Sequence, residues 1–232
     1  MSQPLTLVDM LAVLDGAGSV DDLRRYFHGT GDAAYTGGQF DVLGGGGSRP
    51  EVADTVTAED LIAVELLSVR IPPRQRLELL QGRLGREVSE ELAKIPADVK
   101  MGDNDALPYI VDGGPADTAW HLLCAATGID WVIAGKLLAR KRPRLVPVYD
   151  GVVSCAYGTR GGFWTWLHGK LGEDGGTLAE RLDALHREAE LPAAVSRLRV
   201  LDVVVWMRHR RGHLPSGCPG LRLPDILERS NA

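Results

Sequence analysis

GIDWVIAGKLLARKRPRLVPVYDGVV, residues 128–153, decides how the chain is read. It carries Lys136, Arg140, Lys141, Arg142 and Arg144, and no acid between Trp131 and Tyr149, in a chain whose formal net charge is −5. Thr127-Gly128-Ile129-Asp130 is a tight, Gly-containing connection, so one helix is expected to end near Ala126 and the next to start at Trp131. Two helices joined in this way form a helix–hairpin–helix. The N-terminus of the second helix offers unpaired N–H groups and a positive dipole end, which suit a phosphate. Lys136 and Arg140 lie four residues apart and share a face of that helix. With Lys141, Arg142 and Arg144 they would extend the contact along a nucleic-acid strand, with Gly128 at the turn. Pro143 and Pro147 frame a short extended link. Asp150 closes it just ahead of GVVSCAYG, where an aspartate is a preferred N-cap.

The rest of the chain sets the frame for this segment. Its 232 residues, 44% hydrophobic and 25% charged, suit one large domain or two small ones with a sizeable core. The acidic balance carries no global nucleic-acid signature, so any polyanion contact must come from a local patch. The start has neither a basic n-region nor a long apolar run, so no signal peptide is expected. The longest apolar run, Val203 to Met207, is too short to span a membrane. Three scattered cysteines, Cys124, Cys155 and Cys218, predict reduced thiols and a cytoplasmic location, and are too few for a four-cysteine iron–sulfur cluster.

The periodicity predicts a mainly α protein. Amphipathic segments near 5–14 and 20–27, the second with Ser19 as N-cap, precede a Gly-rich loop or loose hairpin at 29–50. Within that stretch YTGGQF reads as a short strand, and Gly44–Gly47 as a flexible surface loop. Thr57 reads as the N-cap of AEDLIAVELLSV, and helices follow near 74–82 and 86–95. The stretch 98–116 reads as a connecting loop. Helices then cover ADTAWHLLCAA, WVIAGKLLARK, FWTWLHGKL, LAERLDALHREAE behind a Thr177/Glu180 capping box, and about 195–211. The chain therefore divides into an N-terminal helical region, 1–97, and a second region, 98–232, the two allowed to form one continuous domain.

At this point the sequence resembles the helix–hairpin–helix DNA glycosylases of base-excision repair. Gly128-Ile129-Asp130 matches their hairpin, 131–141 the second helix, 142–149 the proline-containing link, and Asp150 the aspartate that follows. The resemblance covers about residues 117–157. AEDLIAVELLSV and AGKLLARKRP also resemble runs shared by an uncharacterised, mostly actinobacterial family that brings no known activity. The glycosylase resemblance implies hydrolysis of an N-glycosidic bond in DNA. Asp150 would be the catalytic carboxylate, stabilising positive charge on the sugar or activating water, without a cofactor or metal. Two departures matter. Asp130 stands where the family's second hairpin glycine would be, and Val132 aligns with the lysine of lyase-competent members, so a monofunctional enzyme is implied. Lys136 lies one turn further along. Tyr149 and Trp131 are the expected walls of a base pocket.

Two other readings remain open: a non-catalytic nucleic-acid-binding module using the basic segment, and a helical protein-interaction domain. His209 and His213 lie four apart with Cys218 beyond, but Gly212 interrupts the helix and no fourth ligand stands out, so no metal is expected.

Overall fold

The computed structural model describes residues 4–31, 34–158, 161–214 and 216–221. The tail of the expected second region, 222–232, lies outside them. The described residues are mainly helical and contain no strand, and no helix is long and apolar enough to cross a membrane. The first half contributes α1 (Leu7–Asp15), α2 (Ser19–His28), α3 (Ala58–Glu65), α4 (Pro73–Leu80) and α5 (Arg83–Leu92). The second contributes α6 (Leu107–Ile110), α7 (Pro115–Cys124), α8 (Trp131–Lys141), α9 (Gly151–Tyr157), α10 (Phe163–Gly172), α11 (Thr177–Glu188) and α12 (Arg197–His209). One hydrophobic core runs from Leu5 to Met207 and draws on both halves.

Two helices are central. From Ile133 to Lys141 every residue of α8 is buried, and α8 packs between α3 and α7. α12 is buried on nearly all sides and meets α1, α2, α9 and α11. Fully interior helices are apolar all round, and their few charges must find partners inside. In α8 the partner is Asp60 of α3, whose side chain is fully buried. It accepts from Arg140 Nε at 3.0 Å, from Lys141 Nζ at 2.8 Å and from the Gly46 N–H at 2.6 Å. Burial pushes the Asp60 carboxyl up, but Lys141 and Arg140 pull it further down, so it ends below the usual range. Asp60 also completes a reciprocal capping box with Thr57, as the sequence implied for Thr57. One carboxylate thus starts α3 and fastens it to α8.

The arginine forks gather loops around this point. Arg140 donates to the carbonyls of Phe40, Leu43 and Gly44, and Arg142 to those of Leu92, Ala53 and Ile95 and to Asp54. Lys141 also donates to the Val52 carbonyl at 2.7 Å. The basic run is therefore interior at Lys136, Arg140, Lys141 and Arg142, and only Arg144 is exposed. This corrects the expected phosphate-gripping face. The glycine run is corrected too. Gly46 and Gly47 are buried, and the Gly47 N–H donates to the Arg140 carbonyl at 2.9 Å. A Cβ on Gly47 would sit 1.8 Å from the Lys141 carbonyl oxygen, so the chain can approach α8 this closely only as glycine.

Several boundaries differ for local reasons. Thr36–Gln39, inside the expected strand, is a 3₁₀ turn. Ser19 is the first residue of α2 and donates to the carbonyls of Val13 and Gly16, leaving Gly18 as cap. The Thr177 hydroxyl donates to the Asp174 carbonyl, and Gly176 takes the cap of α11.

Asp60→Ala leaves two interior cations without their carboxylate. It is expected to destabilise the protein by about 3–5 kcal/mol, read as a lowered urea midpoint. The Asp60 contribution is present above the unfolded carboxylate range, near pH 4, and is lost as pH falls through its lowered value. The acid-side loss of stability below about pH 4 should therefore be shallower in the variant than in the wild type.

Candidate functional site

The hairpin forms as the sequence implied. α7 ends at Cys124, Gly128 is exposed with φ +85°, and α8 starts at Trp131. Pro72 packs on the turn, since a Cβ on Gly128 would lie 2.7 Å from its Cγ. The N-terminus of α8 does not present a free anion site, however. Asp130 caps it, with Oδ1 accepting from the Ile133 N–H at 2.8 Å, so a carboxylate sits where a phosphate was expected.

Asp150 caps α9. Its Oδ1 accepts from the N–H groups of Val152 and Val153, each at 3.0 Å, which fixes the carboxylate's orientation. Residues 147–150 run without helix or turn, and their side chains alternate. Val148 and Asp150 face one cavity, while Pro147 and Tyr149 face another. The acid and the aromatic wall expected beside it are thus on opposite sides of the link, which corrects the single pocket that the sequence suggested.

The Asp150 cavity has a volume of about 130 Å³ and a mixed lining of charged, hydroxyl and apolar side chains. Lys136 reaches it from α8, and Arg199, Asp202 and Trp206 reach it from α12. Tyr26, Tyr35 and the segment Leu66–Ser68 close it. Lys136 Nζ donates to the Leu67 carbonyl at 2.9 Å. Burial pushes the Lys136 amine below its ordinary value, and Asp150 and Asp202 work against that shift. Arg199 donates to Asp202, to the Tyr26 hydroxyl at 2.8 Å and to Asp41 at 3.2 Å. Burial raises the Asp202 carboxyl to about 7, with the nearby Asp150 adding to the rise and Arg199 opposing it. Ser68, at the edge, holds φ +61°, a left-handed conformation that costs a non-glycine residue about 1–3 kcal/mol. Arg210 lies over the rings of Tyr35 and Trp206, 4.9 and 4.7 Å from their centroids.

The second cavity, about 490 Å³, is aromatic. Trp131 and Tyr149 do meet there, with ring centroids 5.7 Å apart, and Phe163 stacks on Tyr149 at 3.9 Å. Trp120 and Trp164 complete the wall, and Gly135 leaves open space on the α8 side.

Sequence reasoning missed Tyr26, Tyr35, Arg199, Asp202 and Trp206. One signal was available: an acid inside the apolar run LDVVVWM, three residues after an arginine. It also missed Cys155, which α9 brings to His209, His213 and Cys218 as the fourth residue of a group.

Asp202 makes a specific pH signature. Its raised pKa means that the native protein holds a proton which the unfolded chain has lost between about pH 4 and 7. Stability from this group is full below about pH 4 and is lost as pH rises to about 7. Arg199, Asp150, Lys136, Tyr26 and Tyr157 face it and stay in place in the variant. Asp202→Asn should flatten the fall of the urea midpoint across that window, by up to about 1.4 kcal/mol per pH unit. Buried Asp41, also raised, keeps a residual slope. An unchanged profile would show that Asp202 titrates normally.

No curated protein and no solved structure matches the chain. The sequence profile of a family of unknown function, DUF6308, matches residues 19–209, which span α2 to the end of α12 and every residue that lines the Asp150 cavity. The chain belongs to the DUF6308 family.

Proposed function

We propose that the protein hydrolyses an N-glycosidic bond of a nucleotide turned out of DNA, with the Asp150 cavity as the reaction site. The observation that carries this reading is the placement of Asp150. Its carboxylate is held by two backbone N–H groups in a cavity that Lys136 and Asp202 also line. Two carboxyls whose surroundings differ can divide acid and base roles. Asp150 accepts the proton of the attacking water, whose oxygen bonds to the sugar carbon while the carbon–nitrogen bond breaks. Asp202, protonated up to about pH 7, is placed to supply a proton to the departing base. Lys136 and Arg199 balance the charge around the pair. The cavity volume suits the insertion of one ring, with Tyr26, Tyr35 and Trp206 as walls.

With the hairpin's own anion site taken by Asp130, the backbone contact falls to a different pair of cations beside it. Arg70 and Arg74 are exposed and flank Pro72, which rests on Gly128. The segment between α3 and α4 therefore joins the cavity, through Leu66–Ser68, to the hairpin, through Pro72. A binding module without catalysis loses its main support, because four of the five basic residues that suggested it are interior.

Incubation with a panel of duplexes carrying damaged bases should yield abasic product from at least one. Asp150→Asn should lower the rate by about 10²–10⁴-fold, and the wild-type rate should fall above about pH 7. Arg70→Ala combined with Arg74→Ala should weaken duplex binding and reduce the slope of log K against log salt by about 2. Absence of abasic product across the panel, or an Asp150→Asn variant as active as wild type, would overturn the reading.

A further inference from the structure

α12 ends on His209, a turn through Gly212 leads to His213, and Cys218 follows a second turn. Cys155 lies on α9, which packs against α12. One ligand atom from each of these four residues, two ring nitrogens and two sulfurs, lies within 4.8 Å of all the others. Cys218 Sγ is 3.5 Å from His209 Nε2. Bond lengths of about 2.3 Å to sulfur and 2.0–2.1 Å to nitrogen place the ligand atoms of a tetrahedral zinc roughly 3.3–3.8 Å apart. The four atoms are thus already near the spacing that one ion imposes.

We propose that Cys155, His209, His213 and Cys218 form a structural zinc site. Two thiols and two imidazoles with no carboxylate make a soft set that favours zinc over magnesium or calcium. Four protein ligands close the coordination sphere, so the role is structural rather than catalytic. A disulfide between Cys155 and Cys218 would account for the sulfurs but not for the imidazoles. His213 Nδ1 is buried with no hydrogen-bond partner, which is unfavourable, and a cation bound at that nitrogen would relieve the cost. The site fastens the chain beyond α12 to α9, five residues after Asp150. It does not depend on the glycosidic reaction proposed above.

The test is the metal content of the full-length protein, purified under reducing conditions without a metal-affinity step and then titrated with zinc chloride. About one zinc per chain is expected, resistant to gel filtration. Cys155→Ala and Cys218→Ala should each reduce retained zinc by at least about tenfold, while Cys124→Ala, outside the group, should keep it. Cobalt(II) in place of zinc should give thiolate charge-transfer and tetrahedral d–d absorption, absent from both variants. Chelation should lower the thermal midpoint of the wild type but not of Cys218→Ala. If Cys155→Ala fails to fold, Cys218→Ala, half-buried just beyond the exposed turn at 216–217, decides alone. Failure to bind stoichiometric zinc, zinc content unchanged in Cys218→Ala, or a Cys155–Cys218 disulfide persisting under reduction would each overturn the proposal.

Discussion

The carboxylate of Asp60 is the interaction on which the remaining structure depends. It sits in the interior between Arg140, Lys141 and the Gly46 N–H, and it also caps its own helix. A buried pair of this kind adds little net stability over an apolar contact, yet removing one member leaves an uncompensated charge at a cost of several kcal/mol. Its effect is therefore specificity more than strength. α3, α8 and the glycine loop can meet in only one arrangement that satisfies both cations. The arginine forks then order three segments, 40–44, 53–54 and 92–95, by donating to their carbonyls. Lysine at 140 or 142 could not serve, because a point charge lacks the planar fork that reaches several carbonyls at once.

With α8 held in this way, the link behind it is held too. Residues 147–150 pass between two cavities and assign alternate side chains to each. The Asp150 cavity receives its other charges from two central helices, Lys136 from α8 and Arg199 and Asp202 from α12. Neither helix could carry such groups inward without partners. The Arg199 network, shared among Asp202, Tyr26 and Asp41, lets α12 bury an arginine and a carboxyl in an otherwise apolar run. The same burial that makes those charges costly lifts the Asp202 carboxyl to about 7.

Much of this was legible in the sequence. Helical periodicity, the Thr57 cap, the turn at Gly128 and the capping position of Asp150 follow from local rules that tertiary packing did not override. The basic run misled because charge was weighed before burial. WVIAGKLLA is apolar on every face, which marks a central helix, and a central helix takes its lysines and arginines inside with it. The partners that make this tolerable, Asp60 and the carbonyls of 40–54, lie about 80–100 residues upstream, where no local pattern points to them. The split between Tyr149 and Asp150 was readable in principle, since an extended link alternates its side chains. Cys155 was hidden by distance, 54 residues before His209.

The interior cations also alter what the molecule presents to its surroundings. Among the described residues, Lys136, Arg140, Lys141, Arg142 and Arg199 are enclosed, against Asp41, Asp60 and Asp202 for the acids. The solvent-facing shell is accordingly more negative than the formal −5 of the whole chain. A polyanion approaching from beyond a Debye length, about 8–10 Å at ordinary ionic strength, meets repulsion rather than guidance. Encounter with a nucleic acid would then be slow and governed by a few contacts at close range. On an anion exchanger the protein would be retained more strongly than its formula suggests.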